Sequence, residues 1–454
     1  MGVLLFMNYQ KLYDYIDTQQ EQMLNSLDKI ISIPSVKGEA LESMPYGLNC
    51  AKVLNEFLSM AESMGFKTTN LQNYVGTIKF DDTAEKLGIL CHLDVVPVIE
   101  KNWNYPPFKA TLVDGKVFGR GAIDDKGPAI AVLYAMKSIK DLGIKLSSNV
   151  RFVVGTDEEN GSSDLEYYAT CESMPPNVFT PDGSYPCINI EKGMIRTSFS
   201  SEYLGDFIKD IQGGTVINGV PAECYAIVSK EVPSADNITV EKFQDGYKVK
   251  YTGLSAHAST PHLGVNAITG LIEYLSKFDN SLAIQGLAKM FPHGDCNGNA
   301  LNIFAEDSLS GDVTSVLSII SMHNGRLLCK QDIRFPICTS KEHIIDTLAS
   351  AMKEYSYSFE VTMAENPHHT DENSEFIKSL LNIYQEETGN TPYCQAIGGG
   401  TYVHNIDGGV AFGAEFPNED NNMHGDDESI KLDSLMLNCK MFARAIVDIC
   451  KAEF

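Results

Sequence analysis

The chain has 454 residues, 43% of them hydrophobic and 21% charged. It is too long for one hydrophobic core and too apolar for disorder, so two or three folded domains are expected. Asp and Glu outnumber Lys and Arg by 60 to 35, a formal net charge of -25, which repels phosphate backbones and anionic bilayers and excludes nucleic acid and membranes as partners.

The first seven residues, MGVLLFM, are apolar but lack the basic region, length and cleavage site of a secretory leader. Phe6 stands where myristoylation of Gly2 would need Ser or Thr. No run approaches the roughly 20 apolar residues needed to cross a bilayer. Eleven cysteines, an odd number without C-x-x-C spacing, point to reduced thiols and a cytoplasmic protein. Cys91, Cys329 and Cys338 lie in apolar, strand-like context and are expected to be buried.

Apolar spacing predicts a long amphipathic helix over residues 8–33, a second over 48–65 and a short buried strand over 86–91. A helix follows Gly127-Pro128 over residues 129–142, and 149–156 (NVRFVVGT) reads as a strand running into an acidic loop. The alternation predicts an α/β fold with ligands at the carboxyl ends of its strands. Between about 191 and 364 the texture changes to alternating runs (MIRTSFS, GYKVKYTGL, NGRLLCKQDIRFP) with helices near 265–278 and 341–355. Residues 192–364 are therefore expected to form an inserted domain. A helix over 374–389, a strand over 409–413 and a final helix over 432–451 return to the first domain, built from 1–191 and 365–454.

The chemistry begins at His92 and Asp94, which point to one side of an extended strand, so that the carboxylate can orient the imidazole. Alone, H-x-D is equally compatible with an ordinary hydrogen-bonded pair. Asp124 and Asp125 in GRGAIDDKG precede a helix, where acidic residues also suit the helix dipole. Glu158 and Glu159 in TDEENGSSD repel one another unless a cation or a shared proton stabilises them. Asp182 in PDGSYP and His424 in NMHGDDE add one more carboxylate and one more imidazole. Hard oxygen donors with two imidazoles, all at strand ends or turns, form the inventory of a two-metal hydrolase. A Ser nucleophile finds no G-x-S-x-G elbow, and a Cys nucleophile finds no supporting motif.

In order and spacing, HLDVVP, GRGAIDDKG, TDEENGSSD, PDGSYP, LSAHASTP and NMHGDDE resemble the M20 metallopeptidases, and within them the PepV-like dipeptidases. The resemblance spans nearly the whole chain. It implies a catalytic domain with a mixed, mainly parallel sheet flanked by helices, and an inserted α+β lid. It also implies two divalent metal ions, zinc foremost, with manganese or cobalt compatible. His92, Asp124 and Asp182 match the ligands of one ion, and Asp124, Glu159 and His424 those of the other, with Asp124 bridging. Asp94 matches the residue that orients His92. Glu158 matches the general base that takes the proton of a metal-bridged water and returns it to the departing amine. A cis peptide between Asp124 and Asp125 is implied as well.

From the insert, His257 in LSAHASTP matches the histidine that stabilises the oxyanion. Arg334 in DIRFP matches the arginine that holds the substrate carboxylate. Asn218 in NGVP is a candidate donor to the carbonyl, and the Gly398 to Gly400 run resembles the stretch whose amides help bind the carboxylate; Gly400 is taken as its site residue. Lys126 is expected to be structural, and His262, His293, His368 and His369 are given no function. The length of the insert resembles that of the PepV-like lid, which supplies within one chain what a partner subunit supplies in shorter M20 enzymes, and so implies a monomer. The reading that follows is a dinuclear metallopeptidase hydrolysing dipeptides with a free C-terminal carboxylate. Its alternatives are an N-acyl-amino-acid deacylase of the same superfamily and a non-catalytic metal-binding protein.

Overall fold

A computed structural model describes residues 2–453, with side chains from residue 9 to residue 452. The side chains of the apolar start MGVLLFM, on which the expectations about a leader and about Gly2 fall, lie outside that range. Two compact units form. One comprises Met1–Asn189, Thr370–Gln395 and Thr401–Phe454, the other Ile190–His369 and Ala396–Gly400.

In the first unit, the strands run in the order Lys67–Leu71, Val75–Lys79, Asn149–Gly155, Glu85–His92, Asn177–Thr180 and Gly409–Ala411, and Ile188 pairs beyond them with Ala411. The sheet is mixed. Its four central strands, from Asn149–Gly155 to Gly409–Ala411, pair in parallel, and the strands Lys67–Leu71, Val75–Lys79 and Ile188–Glu191 on its flanks pair antiparallel with their neighbours towards the centre. Successive residues of the central strands enter different cores: Ile89, Cys91, Phe152, Val154 and Phe179 join a large cluster with the helices, whereas Leu90, Val153 and Val178 join a smaller one with Leu165, Tyr168 and Tyr402. Burial on both faces is why these strands read as continuous apolar runs rather than as alternating ones.

The helices over Leu48–Ser63, Lys126–Asp141, Glu375–Thr388 and Leu432–Ile449 supply the large cluster. Ser374 caps one of them through the amide of Ile377 at 3.2 Å, and Gly389 ends it at φ 72°. The expected helix over 8–33 is instead two, Gly2–Thr18 and Gln20–Ile31. At the break the Thr18 hydroxyl donates to the Tyr15 carbonyl and the Gln19 amide to the Ile16 carbonyl, three residues back rather than four. The buried stripe continues through Leu12, Ile16, Met23, Leu27 and Ile30, so apolar spacing carried no trace of the interruption.

The second unit holds an eight-stranded sheet, antiparallel throughout, whose central strands Ile208–Gly213, Thr314–His323, Arg326–Phe335 and Gly193–Glu202 are neighbours in that order. Helices Ala267–Leu275, Leu282–Met290 and Lys341–Glu354 cover it, with Leu271, Leu287 and Leu348 fully buried in its core. All eleven cysteines are free. Cys91 and Cys329 are buried as expected, but Cys338 is exposed, because the strand ends at Phe335 and Pro336 opens a turn. Among the described residues no helix is long and apolar enough to cross a membrane.

Candidate metal centre

Three neighbouring parallel strands of the first unit end along one edge of the sheet, and each delivers a metal-binding type of side chain there. Glu85–His92 terminates in His92, Asn149–Gly155 runs through Thr156 and Asp157 into the 3-10 turn Glu158–Asn160, and Asn177–Thr180 leads into Asp182. Asp124 lies just before the helix Lys126–Asp141, and the peptide bond joining it to Asp125 is cis, as the resemblance implied. His424 sits in the loop before Ser429–Lys431 with φ 61°, a left-handed conformation uncommon outside glycine.

The two oxygens of Asp124 face different imidazoles: Oδ1 is 2.8 Å from Nε2 of His92, and Oδ2 is 2.7 Å from Nε2 of His424. His424 Nε2 is also 3.2 Å from Glu159, and His92 Nε2 is 3.8 Å from Asp182. Candidate ligand atoms of His92, Asp124 and Glu159 lie within 4.8 Å of one another, as do those of His92, Glu158 and Asp182. Asp94 lies beyond the end of the strand rather than on it. Its carbonyl accepts from Nδ1 of His92 at 3.1 Å, so Nδ1 carries a proton and Nε2 is the nitrogen turned to Asp124. Its carboxylate accepts the amides of Glu158 and Glu159, each at 3.2 Å, and so fixes the acidic turn.

Burial pushes the Glu158 carboxyl well up, and the Asp182 charge adds to it. Burial and the neighbouring Asp124 likewise raise Asp182, to about 7. Burial would lower His92, yet its contacts with Asp124 and Asp94 carry it up; hydrogen bonds to Asp124 and Glu159 raise His424 to about 11. The cluster thus holds more negative charge than its imidazoles neutralise. Glu159 Oε1 is buried without a hydrogen-bond partner among the described residues. A buried carboxylate oxygen without a partner, two imidazoles turned onto one carboxylate and a surplus of negative charge fit divalent cations.

Other residues of the quoted motifs build the frame; of these, sequence reasoning assigned a role only to Lys126, as structural. Glu428 is fully buried and accepts from Arg120 Nη1 at 2.6 Å and from the amides of Gly121, Ile123 and Asp124 at 3.0 to 3.2 Å. Arg120 Nη2 in turn donates to the carbonyls of His424 and Gly425. This pair ties the Asp124 loop to the His424 loop. Arg120 also lies 5.2 Å from the ring centroid of Trp103. Asp164 accepts from the amides of Thr156 and Asp157 and from the Tyr402 hydroxyl, at 2.7 to 2.9 Å. Gly155 makes room for that bond, since a Cβ there would lie 1.6 Å from the Tyr402 oxygen. Lys126 is buried and donates to the carbonyls of Ile30, in the last turn of Gln20–Ile31, and of Ile33 just beyond it, a structural strut.

The remaining candidates belong to the second unit. The short strands Gly219–Val220 and Ala256–His257 pair, and Ala258 N donates to Asn218 O at 2.9 Å, so Asn218 and His257 are neighbours. They line a cavity of about 570 Å³ with Val216, Pro221 and Glu223. Arg334 is buried, its Nε and Nη2 held by Asp332 at 2.7 and 3.2 Å and its Nη1 by the carbonyl of Gly398 at 3.0 Å. That last bond and the Lys192 amide on the Ile397 carbonyl attach residues 396–400, Gly400 among them, to this unit.

Residues 88–448 match Peptidase family M20/M25/M40. The Beta-Ala-Xaa dipeptidase of Lactobacillus delbrueckii subsp. lactis is 32% identical over 98% of this chain and 99% of its own. Among solved structures, human carnosine dipeptidase 1 superposes at a TM-score of 0.61 with 14% identity, over 98% of this chain and 99% of that one. The di-peptidase Dug1p from Saccharomyces cerevisiae gives 0.61 with 15% identity, over 98% of each chain. At such identities the two structures speak to the fold.

Proposed function

The chain belongs to peptidase family M20/M25/M40, and from that premise we propose that it is a metal-dependent dipeptidase working through the carboxylate and imidazole cluster at the edge of the first unit's sheet. The observation that carries this reading is Asp124, whose two oxygens face two different imidazoles, as a carboxylate bridging two cations requires. His92, Asp124 and Asp182 would hold one cation, and Asp124, Glu159 and His424 the other. The chemistry supplied there by bound cations is Lewis-acid activation of a peptide carbonyl and of water.

The chain's own groups do the rest. Glu158 accepts a proton from the attacking water and passes it to the departing amine. Asp94 holds the Glu158 turn and the His92 tautomer. His257 serves as the donor to the developing oxyanion, with Asn218 as a second donor to the carbonyl. Arg334, with N–H groups beyond those engaged by Asp332 and Gly398, pairs with the substrate carboxylate, helped by the amide of Gly400. We read the cations as zinc, the protein as a monomer and its compartment as the cytoplasm, in keeping with the free cysteines.

The test is a panel of dipeptides and N-acyl amino acids, assayed after chelation and re-addition of zinc, manganese or cobalt, with the mass in solution taken on the same samples. Dipeptide turnover that vanishes on chelation and returns best with zinc, at a single-chain mass, is the expected result. Preference for N-acyl amino acids would establish the deacylase reading instead. In the same assay Arg334→Ala should raise KM by about 10- to 100-fold, since it removes a charge-assisted contact already made in the ground state. His257→Ala should lower kcat by about 100-fold or more with little change in KM, as loss of an oxyanion donor does. Unchanged KM in the arginine variant would remove Arg334 from substrate binding.

A further inference from the structure

We propose that Ser259 is a positioning residue for His257, fixing its imidazole as a neutral Nε2–H donor, and that the absence of a side chain at Gly398 registers this device against Arg334. The inference rests on the reading of His257 as the oxyanion donor. The Ser259 amide lies 3.2 Å from Nδ1 of His257 and its hydroxyl oxygen 2.7 Å from the same nitrogen. A backbone amide can only donate. Nδ1 must therefore accept, and the single proton of the neutral ring is left on Nε2. An imidazole protonated at Nδ1 would set two N–H groups against each other.

The hydroxyl can rotate to donate to Nδ1 as well, while a tight turn from the Thr260 amide to the His257 carbonyl at 3.0 Å keeps the residues together. Burial, with the Arg334 charge second, pushes the His257 pKa down, which favours the neutral form that this contact requires. A neutral imidazole with a fixed N–H is a donor suited to a developing oxyanion.

On its other side Ser259 meets the glycine run. A Cβ built on Gly398 would lie 2.6 Å from the Cβ of Ser259, so only glycine allows this approach. The carbonyl of the same glycine accepts from Arg334 Nη1 at 3.0 Å. His257, Ser259, Gly398 and Arg334 are thus a contiguous set within one unit. The donor for the carbonyl oxygen and the cation for the carboxylate are spaced by packing rather than by flexible loops.

The test uses the metal-loaded enzyme with 15N-labelled histidine, the His257 ring signals being assigned by their loss in His257→Ala. The expected spectrum has a protonated Nε2 and a hydrogen-bonded, unprotonated Nδ1. Ser259→Ala should move the Nδ1 signal towards a weaker hydrogen bond and lower kcat by roughly tenfold with KM nearly unchanged, and Ser259→Thr should restore both. Gly398→Ala should lower kcat and raise KM together. A protonated Nδ1 in the wild type, or Ser259→Ala with wild-type kcat and an unmoved Nδ1 signal, overturns the positioning role. The expected tautomer combined with full activity in His257→Ala would instead overturn the oxyanion reading beneath it.

Discussion

Glu158→Gln retains two cations and loses turnover by about 100- to 10,000-fold, the usual cost of removing a general base. The substitution keeps size and polarity but cannot accept the proton of the attacking water. What makes the result informative is geometry: the Glu158 carboxylate lies close enough to His92 and Asp182 to be a ligand in its own right, while Glu159 approaches His92 and Asp124. Elemental analysis beside the rate separates the two roles. A variant that binds only one cation would make Glu158 a ligand and move the base elsewhere in the turn.

The second large effect is expected away from the reacting atoms. Glu428→Ala strips a fully buried carboxylate from the Arg120 guanidinium and from three backbone amides at once. Removing one partner of a buried pair leaves the other charge uncompensated, at about 3–5 kcal/mol. Denaturant unfolding of the metal-free protein should fall by that order. Cation affinity should fall with it, because the Asp124 and His424 loops lose their common tie. Glu428→Gln, which can still accept the amides, should be milder in both respects. Equal unfolding midpoints and equal cation affinity in Glu428→Ala and the wild type would mean that other contacts hold the two loops.

The ligand types were legible because they sit in short motifs at strand ends, where a run such as HLDVVP or TDEENGSSD announces both the strand and the residues that leave it. Arg120 and Glu428 lie inside motifs of the same kind, yet their partnership joins residues 308 positions apart, and no local pattern encodes which of several acidic residues in HGDDE turns inward. Tyr402 carries no motif, and its role appears only once Gly155 is seen to leave space for its hydroxyl. Asp94 was paired with His92 from strand alternation, but the strand stops at His92. The contact is made by the loop carbonyl and carboxylate instead. Apolar character misled at Cys338, where Pro336 outweighs the hydrophobic run before it.

The contact between Arg120 and Trp103 also makes the centre visible by light. The chain contains a single tryptophan, so its intrinsic emission excited at the red edge of indole absorption comes from one place, beside the guanidinium that joins the Asp124 and His424 loops. A cation moving above an indole face changes the energy of its excited state. Any rearrangement that pulls Arg120 off Glu428 or off the His424 carbonyl alters that field. The protein therefore carries an optical readout of the order at its centre, usable without substrate, label or turnover.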